Sequence, residues 1–423
     1  MDIPYGKKKL EISIPDTSDI LIKREIFEPL NKKDIIKHIK SNSVHSSMFE
    51  EIVAHSNKIL IILPDITRKS GSHFFLPELI ELIRQKNKDF SIIFATGTHR
   101  ALTENEKKYI LTDNIYSKYK NHILKHDPEN IQGLIYYGKT RNNTPILLNS
   151  AYFRHDTIIT ISSVSYHYFA GFGGGKKMII PGIAGSKSAT YNHKLILDKN
   201  CMRKHPKAVA GNLKENPIHM DLNEALIIAS KNKNFFGINT ILNDNGDIIF
   251  INSGDIFISH LEAADALKKM TSINIRKQYD ILFLSCGGFP KDINMVQTQK
   301  SIDRVAGVVK AGGKIFLFAE CVDKYGNTSF ENFFDIKESD MMFEHLLKDY
   351  HINKQTAYSL KLNTEKFDIY LYSSFSKSES ERMGFKKLKD IESLDNFNMN
   401  DKSVAVVTDA YNTYFNLENK DCC

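Results

Sequence analysis

Short apolar runs rich in Ile, Val, Leu and Phe recur at residues 58–65, 90–97, 156–164, 279–286, 314–321, 368–375 and 403–410. They are continuous rather than alternating, the pattern of strands covered on both faces, and so predict an α/β protein with largely parallel sheets. Between the first two runs, Leu76, Leu79, Ile80 and Ile83 repeat at helical spacing within residues 76–88, which completes a strand–helix–strand unit. Residues 237–252 read as two strands joined at Asn245-Gly246, a sequence suited to a tight hairpin turn. Residues 255–272 read as a helix. A second α/β series starts at Tyr279, and 423 residues exceed one comfortable core, so the expected division is residues 1–272 and a Rossmann-like 273–423. The last strand is free to pack in either domain.

Composition narrows the function classes. The net charge of +7 comes from 57 basic and 50 acidic residues, and the lysines are scattered among Asp and Glu, which argues against nucleic acid and suits an anionic small substrate or a phosphate-bearing cofactor. The cysteines, Cys201, Cys286, Cys321, Cys422 and Cys423, are odd in number and lack CxxC spacing, so neither a disulfide scaffold nor a cysteine zinc site is expected. No apolar run approaches the ~20 residues that span a bilayer, and the first residues have no apolar signal core; the expectation is a cytoplasmic protein without a membrane partner.

The most informative segment is Ser165-Tyr-His-Tyr-Phe-Ala-Gly-Phe-Gly-Gly-Gly-Lys-Lys-Met-Ile-Ile-Pro-Gly182, which follows a buried strand. Its glycines can adopt positive φ, approach a ligand closely and point backbone N–H groups at an anion. It is not a P-loop, because Ala170 stands where the first Gly belongs and Lys177 where the Mg²⁺-binding Ser or Thr belongs. The plainest alternative is a glycine-rich turn beside two surface lysines. Against that, His167 and His193 bracket the loop, and a lysine beside another cation, as in Lys176-Lys177, has a depressed pKa and gains nucleophilicity.

Asp65-Ile-Thr-Arg68 and Thr96-Gly-Thr-His-Arg100 lie just after strands, where open α/β sheets place their ligands. Arg68 suits a bidentate carboxylate contact, and His99 suits proton transfer near neutral pH. Taken singly, each is as compatible with a structural role, since the chain has 15 histidines.

Taken in order, Asp65-x-Thr-Arg68, Gly97-Thr-His-Arg100, His167-Tyr-Phe-Ala-Gly-Phe-Gly-Gly-Gly-Lys-Lys177, Pro181-Gly-Ile-Ala-Gly185, Asn192-His193, Gly287-Gly-Phe-Pro-Lys-Asp292 and Gln297-x-x-Lys300 resemble the nickel-dependent lactate racemase family. The resemblance runs from about residue 5 to about residue 305. It implies a nickel pincer nucleotide, pyridinium-3,5-bisthiocarboxylic acid mononucleotide with Ni, attached covalently to Lys177 and built by separate cofactor-synthesis proteins. His193 would be the protein's nickel ligand, a neutral imidazole being suited to Ni(II). Asp65, Thr67, Gly173, Gly174, Gly175, Lys176 and Lys291 would contact the cofactor, and Arg68, Gln297 and Lys300 the substrate.

The implied reaction is racemisation or epimerisation of a lactate-like 2-hydroxy acid in the cleft between two domains, the N-terminal one holding cofactor and catalytic groups. Hydride leaves C2 for the tethered cofactor and returns to the opposite face. His99 and His167 are the paired acid and base, two being wanted because either face of C2 must be served. The sequence departs from the family pattern at Lys69, where proline is common, at Gly173, where serine is common, and at Lys176, where arginine is common. The rival readings are a non-catalytic nucleotide- or cofactor-binding α/β protein, which would not need both histidines, and a methyltransferase-like enzyme suggested by residues 308–317 but lacking the glycine-rich turn after the first strand of that domain.

Overall fold

A computed structural model describes residues 1–22 and 25–417; Cys422 and Cys423 lie outside the described residues. The chain divides into two compact units, one made of Ile26–Ile196 with Pro206–Lys269, the other of Met1–Glu25, Leu197–His205 and the chain from Met270 onward.

The first unit is built on strands β1 (Lys58–Pro64), β2 (Asp89–Ala95), β3 (Thr157–Ser163), β4 (Asn234–Leu242) and β5 (Ile248–Gly254), with short edge strands Ser43–Val44 and Ile123–Leu124. Across the sheet the order is Ser43–Val44, β5, β4, β3, β1, β2, Ile123–Leu124. Pairing is parallel except in the β4–β5 hairpin. That hairpin turns where expected, with Gly246 at φ +90°. Every residue from Ile59 to Leu63 is buried, so β1 is covered on both faces, which is why its apolar run does not alternate. Helix α1 (Leu76–Gln85) lays Leu76, Leu79, Ile80, Leu82 and Ile83 into this core.

The strand order fixes where a site can form. From β1 the chain steps to β2 on one side, then returns to β3 on the other. The loops leaving β1 and β3 therefore diverge at a topological switch point, the position at which open α/β sheets bind ligands.

The second unit holds a six-stranded, wholly parallel sheet of β6 (Tyr279–Ser285), β7 (Val309–Phe318), β8 (Asp368–Tyr372) and β9 (Val404–Val407), edged by Lys386–Lys387 and Asp19–Ile20. Strand β9, close to the end of the chain, pairs with β6 inside this sheet. Two segments join from afar, Leu197–His205 and the first one, whose Ile3, Tyr5 and Ile12 pack with Phe283, Phe316 and Val406. This arrangement differs from a division at residue 272. The N-terminal hairpin, Asp2–Tyr5 with Lys8–Glu11, is too short and too polar to announce its partner by pattern alone. Among the described residues, no helix is long and apolar enough to cross a membrane.

Candidate active site

Three loops from the C-terminal ends of β1, β2 and β3 hold most of the candidate residues. After β1 the chain turns at Asp65, whose carbonyl accepts from the Arg68 amide. The buried Asp65 carboxylate accepts from the Thr67 amide at 3.0 Å and the Thr67 hydroxyl at 2.6 Å through Oδ1. Its Oδ2 accepts from His99 Nδ1 at 2.6 Å. Burial pushes the Asp65 carboxyl upward, yet the bonds from His99 and Thr67 prevail and hold it below its ordinary value. An ionised Asp65 fixes Nδ1 as the protonated nitrogen of His99. Nε2 is thereby the acceptor nitrogen of a ring that is 56% exposed.

The β2 loop is held in place by backbone bonds. His99 N donates to Thr96 O, and Gly97 N donates to Gly182 O at 2.9 Å, which ties this loop to the segment after the glycine run. Arg100 is engaged elsewhere, in a bidentate pair with Glu106 at the start of the next helix.

After β3 the chain makes a small hairpin, Tyr166–His167 against Gly171–Phe172. At its tip the Ala170 amide donates to His167 Nδ1 at 3.3 Å, the reverse of the arrangement at His99, so that the neutral ring carries its proton on Nε2. The His167 ring stacks on Tyr168 and meets the edge of Phe169. Its centroid is 6.5 Å from that of His193, near the end of α2 (Ser186–Lys194). Asn192, beside His193, is fixed by bonds to Ile218 O and Asp221 Oδ2.

Several amides of the glycine run have partners inside the protein. The amides of Gly173, Gly175 and Lys177 donate to Ser165 O, Ser162 Oγ and Gly174 O, so they are engaged within the protein rather than presented to an anion. The glycines are required by close packing: Gly174, at φ +81°, would carry a Cβ 2.8 Å from Ser163 O, and a Cβ on Gly175 would lie 2.5 Å from the His260 ring.

That packing draws both lysines inward. Lys176 is 2% exposed, and its pKa is lowered to about 7 by burial, opposed by the charge of Asp255. Lys177 is lowered to about 7 by burial and then by the charges of Arg68 and Lys176. Its Nζ is buried without a hydrogen-bond partner, as is Nε2 of His193. Burial, then the Lys177 charge, holds His193 down to about 3, so it is a neutral imidazole at physiological pH.

Two orphaned nitrogens on rigid elements, one on a lysine that gives up its proton near neutral pH and one on a neutral imidazole, match the needs of a group that is bonded to one and coordinated through its metal by the other. Among the described residues no three His, Cys, Asp or Glu side chains are grouped to hold an ion, so a metal on His193 would draw its other ligands from such a group. The Asp65–Phe74 turn also borders a pocket of about 130 Å³ shared with Tyr109, room for a small ligand.

Asp65, Thr67, Arg68, His99, His167, Gly173, Gly174, Gly175, Lys176, Lys177 and His193 all belong to the first unit. Lys291, Gln297 and Lys300 form a group of their own in the second. Lys291 Nζ donates to Asp409, and Lys300 Nζ to Gln297 Oε1 at 2.7 Å, at the start of helix α4 (counting Ile258–Thr271 as α3), Met295–Val305. Sequence reasoning missed Ser162, Asp255 and His260, which support the glycine run from behind. They sit in no motif, and only their contacts reveal them.

Comparison with known proteins gives the same direction at both ends of the chain. Residues 5–204 match the lactate racemase N-terminal domain, and residues 275–359 match the lactate racemase C-terminal domain. Lactate racemase of Thermoanaerobacterium thermosaccharolyticum is 31% identical over 346 residues, covering 80% of this chain and 78% of that protein. The enzyme of Lactiplantibacillus plantarum is 28% identical over 336 residues, covering 78% and 77%. The structure of the Thermoanaerobacterium apoprotein superposes with a TM-score of 0.84 at 27% identity, over 98% of this chain and 99% of that one. With relatives of this similarity spanning both units, the chain belongs to the lactate racemase family, a family of isomerases.

Proposed function

We propose that this protein interconverts the stereoisomers of a lactate-like 2-hydroxy acid with a nickel pincer nucleotide bound covalently to Lys177. The observation that carries the reading is the pair of buried, partnerless nitrogens, Lys177 Nζ and His193 Nε2. Lys177 would hold one arm of the cofactor through an amide-type bond, for which a neutral amine is needed. His193 would ligate the nickel, and the Gly173–Lys176 turn would shape the wall beside it. When bound, the cofactor supplies the acceptor for the hydrogen at C2 and the donor that restores it.

The protein's own groups do the rest. Arg68 would pair with the substrate carboxylate and orient C2. His99, with its Nδ1 proton committed to Asp65, would take the hydroxyl proton at Nε2 from one stereoisomer. His167, whose Nδ1 accepts from the Ala170 amide and whose proton therefore sits on Nε2, would be the paired acid, giving that proton to the oxygen as the opposite stereoisomer forms. After an inverting turnover one histidine has gained a proton and the other has lost one, and exchange with water restores the pair. Gln297 and Lys300 would contact the substrate, and Lys291 the cofactor, from the second unit. The cofactor would come from separate synthesis proteins, with loading in the cytoplasm.

Co-expression with those synthesis proteins tests the reading. Intact mass should show an adduct absent from protein made without them; Lys177→Ala should abolish it, and His193→Ala should keep adduct while losing nickel. Chiral separation across lactate, longer aliphatic, aromatic and sugar-derived 2-hydroxy acids would identify the substrate. Full turnover by nickel-free, adduct-free protein would overturn the proposal.

A further inference from the structure

Against the glycine run stand the N-terminal part of α3 (Ile258–Thr271) and the residues that lead into it. Three of its features meet the run in succession. His260 Nε2 donates to the Gly173 carbonyl at 2.9 Å. The same ring lies so close to Gly175 that any side chain there would collide with it. The Lys176 ammonium stands 5.9 Å from the Phe257 ring centroid, with Asp255 as the carboxylate whose charge it feels.

This wall is itself rigidly set. Asp255 Oδ1 accepts from the amides of Phe257 and Ile258, both at 2.9 Å. Asn239 on β4 donates to Ser259 Oγ and to Asn252 on β5, and Asn252 donates to Ser259 O. His260 is thus tied to the centre of the sheet on one side and to the glycine run on the other. It is 2% exposed, and burial next to Lys176 keeps it neutral, with Nδ1 lacking a partner and Nε2–H committed to Gly173.

We propose that His260 is a positioning residue: through its bond to Gly173 and its contact with Gly175 it sets the backbone of the run, so that Lys177 rather than its neighbour Lys176 offers its amine at the site. Adjacent residues in a tight turn point in different directions, so one rotation of the run exchanges the two amines. The Gly173 anchor and the Gly175 contact oppose that rotation, while Phe257 and Asp255 hold Lys176 against the wall. The inference rests on Lys177 being the attachment point only for its consequence; the aim of the two amines is measurable without any cofactor.

The experiment is limited acetylation of the cofactor-free full chain with acetic anhydride, followed by peptide mass mapping of Lys177 against Lys176. The wild type should label predominantly at Lys177. His260→Leu, which keeps bulk and loses the donor, should reduce the Lys177 to Lys176 ratio about tenfold, the worth of one buried hydrogen bond. His260→Gln, whose amide nitrogen reaches as far as Nε2, should restore the wild-type ratio within about threefold on the same scale. His260→Asn is too short to reach Gly173 and should behave like the leucine variant. Should His260→Leu fail to fold, the Gln and Asn pair decides: a ratio that is the same in both overturns the proposal, as does a wild-type ratio in a folded leucine variant. Loss of the cofactor adduct from Lys177 in loaded protein would instead defeat the proposed function and leave the labelling result standing.

Discussion

Asp65 and His99 form a pair in which one residue decides the chemistry of the other. Asp65→Asn keeps the shape but replaces a carboxylate that only accepts with an amide that can donate to Nδ1. The imidazole then carries its proton on Nε2 and can no longer take one there. Turnover should fall by about 10²–10⁴-fold, the range of a lost general base. Nitrogen chemical shifts of His99 should report the tautomer change; an unchanged tautomer with lost activity would refute the assigned role of Asp65.

Lys177 makes a complementary prediction about stability. Its pKa is lowered to about 7, so between about pH 7 and the ordinary lysine range the unfolded chain binds a proton that the folded chain does not. Stability of the cofactor-free protein should therefore rise with pH across that window. Lys177→Met removes the orphaned amine, and should raise the melting temperature at pH 7 by several degrees, since an unsatisfied buried polar group costs about 1–3 kcal/mol. The pH slope should flatten in the same variant. A variant less stable than wild type would show that the amine has a partner in solution.

At the scale of elements, the glycine run shows how much the sequence could convey. Its glycines, the flanking histidines and the lysine pair were legible because each residue type has few reasons to occur in that spacing. The purpose of the glycines was not, because an amide that faces an anion and one that faces Ser162 look alike in sequence. Gly174 and Gly173 separate the two uses. Gly174→Ala meets Ser163 O at 2.8 Å in a backbone conformation suited only to glycine, and should cost about 1–3 kcal/mol. Gly173→Ser, at ordinary φ with its nearest neighbour the rotatable Ser165 hydroxyl at 3.3 Å, should be tolerated. Thermal melts of the two variants should differ by several degrees; equal melts would return the run to the role of a ligand-facing loop. The long strands of both sheets and the β4–β5 hairpin were equally legible, since burial on both faces and Asn-Gly turns leave local marks, whereas the two-residue edge strands leave none. His260 left none, because a lone histidine on a polar helix has no pattern.

At the scale of the molecule, the chain passes between the two units four times, near residues 25, 196, 205 and 269. Deleting residues 1–18 should strip Ile3, Tyr5 and Ile12 from the second unit's core and lower its stability selectively. Hydrogen exchange should then quicken in β6, β7 and β9 while β1 and β3 stay protected; uniform loss in both sheets would show that the units unfold together. The N-terminal hairpin also carries a consequence for synthesis. Its partners on β6 and β7 leave the ribosome more than 250 residues later, on the order of ten to fifty seconds at ordinary elongation rates. During that interval the nascent chain displays Ile3, Tyr5 and Ile12 unpaired, and the sheet of the first unit can be complete only toward its end, once β5 has emerged. A trigger-type chaperone that shields exposed apolar segments should therefore be found on the beginning of this chain, and should leave it only as its C-terminal third emerges.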